Sequence, residues 1–368
     1  MKLVRSRGRV FTVLAVASMA VPMLVAQSAT GAPTSSDHTL RAQLDGVSRT
    51  LPDGSVLTQK SNRGHVVAEL RLADGSTATA SAPLGSTIVA VITSNPLGHR
   101  SGATGDPGTA DVSVEAPDTK LSGLDPQALV AAHKSSGRSV ITDAMETGMT
   151  YEAAVSTFGD MGDAIPTKAK AQAVVSGVAA PVGAASAFPS AFTAAAPAVY
   201  ITGGTPQILD SLCVNFTGGP ANHATSHGCD IRYLDYAVNG NWYISNKMKS
   251  SAIVSDWYYQ MVAHDVWVGY YSGNSWVDWE PSRTYSEGQC STLTLGVTDP
   301  KTGVNISYGT SICPNSLSPV WASSAYLGFG GIWRGGSTGY ENAIAVGVVH
   351  NPPGYSDAYS VHVWVQWG

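Results

Sequence analysis

The sequence predicts an all-β C-terminal domain, built as an antiparallel β-sandwich or alternatively as a β-barrel, after an α+β N-terminal region. Aromatic residues indicate the C-terminal domain, because all nine Trp and thirteen of the fifteen Tyr lie beyond residue 230. Short alternating apolar runs such as 361–367 are separated there by turn dipeptides such as Asn239-Gly240, which is the pattern of antiparallel strands. Before residue 168, strand patterns are followed by helix patterns.

The first residues carry the pattern of a secretory signal peptide, which we place at 1–32. Four basic residues precede an apolar run over 11–26, and small residues follow it as far as Ala32. A basic segment, then a short apolar core, then small residues at the cleavage site is the order typical of export signals. The run is shorter than the ~20 residues of a membrane helix, so a retained anchor is the less favoured alternative. We therefore expect a secreted, extracellular protein without a membrane association once the signal is removed.

Strand patterns dominate the first part of the N-terminal region, 33–168. Apolar and polar residues alternate from Val66 to Leu72, which predicts a half-buried strand. Asp74-Gly75 follows at once and predicts a tight hairpin turn. A second Asp-Gly pair begins at Asp53, and the apolar run within 86–93 predicts a buried strand.

Helix start and stop signals follow these strands. Asp125 before Pro126 predicts a helix start, because the carboxylate accepts an unpaired backbone N–H and proline is tolerated at the first position. We expect this helix to end at Gly137. A second helix is predicted over 139–146, and a third after Thr150.

Composition divides the chain further. Residues 169–198 are rich in Ala, Gly, Pro and Ser and carry almost no charge, which is typical of a linker. The aromatic-rich β domain is then 199–368. Because the linker joins an α+β region to a cysteine-bearing domain, the region 33–168 is a candidate pro-region.

Four cysteines, Cys213, Cys229, Cys290 and Cys313, predict disulfides, since an even number in an exported chain favours pairing. Three pairings are possible. We favour Cys213–Cys229 and Cys290–Cys313, because each closes a short loop between neighbouring predicted strands. A thiolate metal site is the alternative, and the lack of any C-x-x-C pair disfavours it.

Charge excludes two classes of partner. The net charge is −5 and only 13% of the residues are charged, so the chain has no basic footprint for nucleic acid. The same balance argues against a polybasic membrane-binding surface. No motif matches a cofactor signature, and we expect no cofactor.

His223 and His227 are the candidate metal ligands. On a helix, four-residue spacing would put both imidazoles on one face, where zinc can be held. The flanking Gly219-Pro220 and Gly228 favour a polar loop instead, and no Glu follows the first His as metalloproteases require. We therefore predict no bound metal.

Two further patterns match catalytic sites only in part. The letters G-x-S-x-G surround Ser337, but a hydrolase elbow needs a following helix, and 343–349 has a strand pattern. A glycine-rich turn is the favoured interpretation. His264 lies beside Asp265 and near Asp256, where an imidazole could act as a general base. No motif supplies a nucleophile for it, so a structural role is favoured, and the catalytic residues stay unassigned.

The segment Trp276-Val277-Asp278-Trp279-Glu280 is the predicted ligand site. On a regular strand Trp276, Asp278 and Glu280 share one face, while Trp279 lies on the other. An indole next to two carboxylates suits a sugar, because the ring covers the apolar face and the acids accept hydroxyl hydrogens. A core tryptophan beside a solvated acidic face is the alternative.

These observations predict a secreted binding or interaction protein that recognises a polysaccharide, or another glycan or protein ligand at a cell surface. The motivation is a weakly charged, aromatic-rich β domain without catalytic motifs. The alternative is a secreted hydrolase, of glycosidase or peptidase type, made with an N-terminal pro-region.

Overall fold

The computed structural model consists mostly of antiparallel β-sheets. It describes residues 36–94, 108–177, 200–201, 206–219, 223–256, 258–271, 273–286, 291–301, 303, 305–312, 316–322 and 327–368. The strands are β1 (Ser36–Gln43), β2 (Arg49–Thr50), β3 (Val56–Asn62), β4 (His65–Arg71), β5 (Thr77–Pro83), β6 (Thr87–Ser94), β7 (Gly108–Glu115), β8 (Tyr200–Ile201), β9 (Gln207–Gly218), β10 (Ala224–Val238), β11 (Asn241–Val254), β12 (Met261–Tyr270), β13 (Ser275–Glu280), β14 (Tyr285–Ser286), β15 (Ser291–Thr298), β16 (Asn305–Ile312), β17 (Ser316–Ala322), β18 (Leu327–Ser337), β19 (Glu341–Asn351) and β20 (Tyr359–Trp367). The helices are α1 (Pro126–Ser136), α2 (Val140–Glu146), α3 (Tyr151–Phe158) and α4 (Lys168–Val175).

Two large sheets contain nearly all of these strands. Sheet 1 has the order β1-β6-β7-β20-β12-β18-β17-β14, and sheet 2 has the order β13-β19-β11-β10-β9-β5-β4-β3-β2, with β8 beside β10. β15 and β16 pair separately. Sheet 1 packs on sheet 2, with β20 against β10 and β18 against β19. This arrangement is consistent with the predicted β-sandwich.

Strands from both parts of the chain lie side by side in each sheet. In sheet 1, β7 pairs with β20 and Val112 lies opposite Val363. In sheet 2, β5 pairs with β9 and Ala80 lies opposite Val214. The separate α+β region predicted for 33–168 is therefore not confirmed, because its strands complete the same sheets as the aromatic-rich part of the chain.

Apolar side chains fill the space between the sheets, and the strands approach closely there. A Cβ atom at Gly228 of β10 would lie 2.1 Å from Cγ1 of Val363 on β20. Only a residue without a side chain fits at this distance, so Gly228 sets how near the two strands lie. The largest fully buried side chains are Trp242, Trp333, Tyr270, Tyr359, Phe158, Phe216 and Phe329.

Arg232 supplies the main polar link across this interior. Its guanidinium donates to Asp210 at 2.8 Å and to Asp357 at 2.9 Å. The same group lies 3.9 Å from the centroid of the Tyr359 ring. Because the cation is paired and hydrogen-bonded, it is tolerated between the sheets.

The predicted turns and helix ends form where the local sequence places them. Asp74 accepts a hydrogen bond of 2.9 Å from the backbone N–H of Ser76 in the turn between β4 and β5. The side chain of Asp125 caps α1, and Gly137, which ends the helix, has a φ of 67° that favours glycine. Ser139 caps α2.

The helices form a layer on sheet 2. α1 and α2 lie against β9, and α3 and α4 pack on α2. α4 begins at Lys168 and buries Ala171 and Val174, so the first residues of the segment 169–198, which we predict as a linker, are helical. Residues 178–199 of that segment lie outside the described part of the chain.

Arg138 forms a buried ion cluster with two carboxylates of α2. The side chains of Arg138, Asp143 and Glu146 are 2%, 0% and 0% exposed. Arg138 bonds both carboxylates and donates to the Ser81 hydroxyl at 2.7 Å. Ser81 of β5 donates to Glu146, and Ser211 of β9 donates to Asp143. The cluster therefore attaches α2 to two strands of sheet 2.

Cys213 and Cys229 form a disulfide, as predicted. They lie directly opposite each other in the register of β9 and β10, and their Cα atoms are 4.2 Å apart. Gly228 faces sheet 1, so its neighbour Cys229 points to the other side of sheet 2. On that side the Cys213 sulfur lies 3.9 Å from the carbonyl oxygen of Val140 in α2.

The second predicted disulfide, Cys290–Cys313, lies outside the described residues. The strands next to it in sequence, β15 and β16, pair Ser291 with Ile312. As for membrane spans, every helix in the described part of the chain is too short or too polar to cross a bilayer.

Candidate functional site

The face of sheet 1 that turns away from sheet 2 brings together side chains from five neighbouring strands. Arg41 of β1 pairs with Val89 of β6, and Val89 pairs with Ser113 of β7. Ser113 pairs with His362 of β20, which pairs with Trp267 of β12. These residues form one row across the sheet, because paired residues point to the same face.

A groove lies along this row. It encloses about 170 Å³ and is lined by Val89, Val91, Asp111, Ser113, Glu115, Trp267, Ser360 and His362. Asp111, Ser113 and Glu115 occupy alternate positions of β7, so all three point into it. The groove therefore has a polar floor, with the β6 valines on one side and an aromatic pair on the other.

The aromatic side is a stack of two rings. The centroids of Trp267 and His362 lie 3.6 Å apart, and their planes differ by 14°. A Cβ atom at Gly269 would lie 3.0 Å from the Trp267 ring and 3.2 Å from the Ser360 hydroxyl oxygen. The absence of a side chain at Gly269 thus gives the indole its place next to His362.

His362 is also the centre of a chain of polar groups. Its Nε2 atom lies 2.8 Å from the Ser360 hydroxyl oxygen. Its Nδ1 atom lies 3.6 Å from a carboxylate oxygen of Asp111, and this buried nitrogen has no hydrogen-bond partner among the described residues. Ser360, His362 and Asp111 therefore stand in a line on one sheet face.

Ionisable groups stand at both ends of the groove. Arg41 binds Glu115 through both guanidinium Nη atoms, and this ion pair raises the pKa of Arg41. At the other end, Asp265 follows His264 on β12 and has a buried carboxyl group. Burial, and then the nearby charge of Asp111, raise the pKa of Asp265 well above its usual value.

The shared face predicted for Trp276, Asp278 and Glu280 does not form. Opposite β19, Trp276 pairs with Val349, but Asp278 pairs with the next residue, Val348, because a bulge interrupts the register. The extra residue of a bulge reverses the face of every following side chain. Trp276 therefore shares its face with Trp279, and the two carboxylates lie on the opposite face.

The contacts of these residues agree with that correction. Trp276 meets the Phe329 ring edge-on at 4.1 Å, and Trp276 and Trp279 both pack partly buried against the core. Asp278 accepts a hydrogen bond from the Thr298 backbone, and Glu280 accepts one from Tyr285. The two indoles thus pack partly against the core, and both carboxylates accept hydrogen bonds from neighbouring segments.

His223 and His227 also differ from the prediction. The segment is neither a helix nor a polar loop, because β10 begins at Ala224 and includes His227. Four residues along a strand span roughly 13 Å, which is too far for two ligands of one metal ion. His223 instead lies 3.4 Å from Asp256. Among the described residues, no three His, Cys, Asp or Glu side chains form a metal-binding group.

The burial of His227 makes a testable contribution to acid sensitivity. Burial lowers its pKa from 6.5 to about 4. The unfolded chain therefore binds a proton between pH 6.5 and 4 that the folded protein does not, so stability falls as the pH falls through this range. We expect His227→Gln to lessen that loss by about 3 kcal/mol at pH 4, measured by urea unfolding. The account is contradicted if the free energy of unfolding, taken relative to its value at pH 8, falls equally with pH in the wild type and in His227→Gln.

His264 and Ser337 have structural positions. His264 lies between the sheets, where its Nδ1 atom is 3.1 Å from the Ser250 hydroxyl oxygen, and burial lowers its pKa to about 3. Ser337 ends β18, and its hydroxyl accepts a hydrogen bond from the Gly339 backbone in the turn before β19. Of the G-x-S-x-G letters, Gly335 to Ser337 belong to β18, and Thr338 and Gly339 lie in the connection to β19.

The groove itself was not anticipated from the sequence. Its residues come from positions 89 to 362 and carry no motif. The one local signal is the strict alternation of 361–367, which indicates that His362 shares a face with Trp364 and not with Val363. Only the strand pairing shows that Asp111 and Trp267 lie beside it.

No protein-family model matches this chain. A comparison with curated proteins likewise finds no similar sequence. The groove on sheet 1 therefore carries the functional inference alone.

Proposed function

We propose that the protein is an extracellular binding protein whose groove on sheet 1 holds a neutral sugar unit of a glycan chain. The observation that carries this proposal is the combination of a stacked Trp267–His362 pair with Asp111, Ser113 and Glu115 in one groove. Sugars present an apolar face of C–H groups and a rim of hydroxyls. The ring pair and the β6 valines suit the first, and the β7 side chains accept hydrogen bonds from the second.

The size of the groove favours one sugar unit. Its volume of about 170 Å³ is below the roughly 300–1,000 Å³ of pockets that enclose drug-sized ligands. A sugar within a chain needs only one unit to be held, because its neighbours extend into solvent on both sides. A polysaccharide is therefore a better fit than a large free ligand.

The spacing of the two groove carboxylates favours binding over glycosidic cleavage. Asp111 and Glu115 are four residues apart on β7, which is roughly 13 Å along a strand. Glycosidases that cleave with two acids hold them about 5–9.5 Å apart. Glu115 is moreover paired with Arg41, so it is not available as a general acid.

The export prediction agrees with this role. The pattern of a signal peptide in 1–32 and the Cys213–Cys229 disulfide both suit an oxidising extracellular compartment. Two packed sheets of a β-sandwich give a broad rigid face for the groove, and binding sites built on strands hold their side chains more firmly than loops do.

Replacing Trp267 with Ala is expected to weaken polysaccharide binding roughly tenfold or more, because a central aromatic side chain commonly contributes about 2 kcal/mol. The measurement is a panel of insoluble cell-wall and plant polysaccharides in pull-down, followed by titration calorimetry with oligosaccharides of the best ligand.

Two control variants separate the groove from other surfaces. Trp364→Ala removes an indole from the same face of β20 outside the groove, and we expect it to leave binding unchanged. Asp278→Asn with Glu280→Gln tests the site predicted from sequence, also without effect. Equal loss in the Trp364 variant, or no binding to any polymer in the panel, would overturn the proposal; a protein ligand would then be the remaining partner class.

A further inference from the structure

We propose that Ser360 is a nucleophile, activated by His362 and Asp111, and that the groove hydrolyses small acyl esters such as acetyl groups on sugars. The activity uses the groove of the proposed function but goes beyond binding. It assigns a reaction to three residues that no sequence motif marks.

The geometry has the order of roles that a serine nucleophile needs. The Ser360 hydroxyl oxygen is 2.8 Å from His362 Nε2, within the range for proton transfer to a general base. His362 Nδ1 is 3.6 Å from the Asp111 carboxylate. That distance is slightly long for a hydrogen bond, as such contacts commonly are before substrate binds. An orienting carboxylate keeps the proton on Nδ1, which leaves Nε2 free to accept.

The surroundings hold the imidazole in place. Trp267 stacks on one ring face of His362, and Ser113 is its register partner on the other side. Ser360 itself pairs with Glu115, whose charge Arg41 neutralises. Negative charge that develops on a carbonyl oxygen near Ser360 therefore does not face an unpaired carboxylate.

The groove limits the substrate to small acyl groups. Ser360 is only 4% exposed, and the space in front of it is part of a groove of about 170 Å³. An acetyl group can approach this hydroxyl, whereas a longer acyl chain would contact Trp267 and the β6 valines. The alcohol part of the ester extends into solvent along the groove.

The reaction balances without a cofactor. The Ser360 oxygen adds to the ester carbonyl carbon while its proton moves to His362 Nε2. The bond to the alcohol oxygen then breaks, and that oxygen takes the proton from His362. Water adds to the acyl-serine and gives a proton to Nε2, and the serine oxygen leaves and takes it back. The products are one carboxylic acid and one alcohol.

Ser360 differs from Ser250 and Ser337 in its hydrogen-bond partner and in its access to a groove. Ser250 bonds His264, but both side chains are buried between the sheets, where no ester can reach them. Ser337 matches the letters of a hydrolase motif, yet its hydroxyl bonds the backbone of its own turn. Ser360 alone among these three combines a histidine partner with an open groove.

The test uses the full chain with two small probes, methanesulfonyl fluoride for covalent labelling and p-nitrophenyl acetate for turnover. We expect the methanesulfonyl adduct on Ser360 by peptide mass spectrometry, and faster hydrolysis of the acetate than of the butyrate ester. Ser360→Ala should abolish both signals, and His362→Gln should lower the rate about 100-fold or more. Asp111→Asn should lower it roughly tenfold or more. Ser337→Ala is the matched control and should retain both signals.

The outcomes distinguish this proposal from glycan binding. Polysaccharide binding and covalent labelling are both measured on the wild-type chain. Binding without labelling overturns the nucleophile and leaves the binding function, whereas labelling without binding overturns the binding function and leaves the nucleophile. An unlabelled Ser360, or an esterase rate that Ser360→Ala does not change in a folded protein, overturns the proposal.

Discussion

Replacing Arg138 with Met is expected to destabilise the fold by about 3–5 kcal/mol, because it leaves two buried carboxylates without their cation. Arg138, Asp143 and Glu146 are nearly or fully inaccessible to water. Met has a similar length and packs well, so the loss reports charge and hydrogen bonding more than volume. Urea unfolding at pH 8 measures it.

The pH dependence of the stability loss in Arg138→Met tests independently whether unpaired buried carboxylates cause that loss. Burial, opposed by the Arg138 charge, already raises the pKa of Asp143 to about 7. A folded pKa above the unfolded value means that the folded protein binds the extra proton between about pH 4 and 7. The cost of the buried carboxylate is therefore full above pH 7 and declines toward pH 4. Without Arg138 that pKa rises further, so we expect the loss from Arg138→Met to be smaller at pH 5 than at pH 8.

Two further variants keep this prediction specific. Arg71→Met removes an exposed cation that pairs with Glu69 on the surface, and such a pair contributes about 0–1 kcal/mol. Adding Asp143→Asn and Glu146→Gln to Arg138→Met removes the unpaired charges and is expected to recover part of the stability. If Arg71→Met and Arg138→Met cost the same, the buried cluster does not stabilise the fold.

Replacing both Cys213 and Cys229 with Ser is expected to lower the free energy of unfolding by about 3 kcal/mol, because the disulfide closes a loop of about 15 residues in the unfolded chain. The sequence separation of the two cysteines is 16. The bond also lies under α2, where the Cys213 sulfur contacts the carbonyl of Val140. Two serine hydroxyls there would be buried with few partners, which adds to the loss.

Reduction provides the control for this variant. Breaking this bond in wild-type protein with reductant is expected to cost no more stability than the double substitution, because buried thiols lose less on burial than serine hydroxyls. Reductant that destabilises the double variant further would indicate a second disulfide, which the sequence predicts as Cys290–Cys313. An unfolding free energy unchanged by both the substitution and the reductant would contradict a stabilising role for the Cys213–Cys229 bond.

Several elements are predictable from the sequence because their causes are local. The Asp125 cap and the Gly137 end of α1 depend on backbone groups within one turn of the helix. The hairpin at Asp74-Gly75 depends on φ angles that these residues tolerate. The alternation in β20 depends on the two-residue period of a strand, whatever lies beside it. The Cys213–Cys229 pair follows from two predicted strands that are adjacent in sequence.

The predicted geometry of the candidate sites differs from the structure where it depends on regular elements. A regular strand would put Trp276 and Asp278 on one face, and one extra residue in a bulge separates them. A helix or a loop is expected for His223 and His227, whereas β10 continues through His227 because its backbone pairs with β9 and β11. Neither outcome is encoded by the residues themselves, since both depend on the partner strands.

By itself the sequence determined the short-range features: helix caps, turns, strand periodicity, the disulfide between neighbouring strands and the export pattern of its first residues. Only the tertiary structure decided that β7 lies beside β20 and β5 beside β9, and hence that Asp111, Trp267 and His362 meet in one groove. The physical reason is that every strand offers the same backbone N–H and C=O groups, so hydrogen bonding alone does not determine which strands pair. The packing of side chains between the two sheets determines the pairing, and it depends on residues from many segments of the chain.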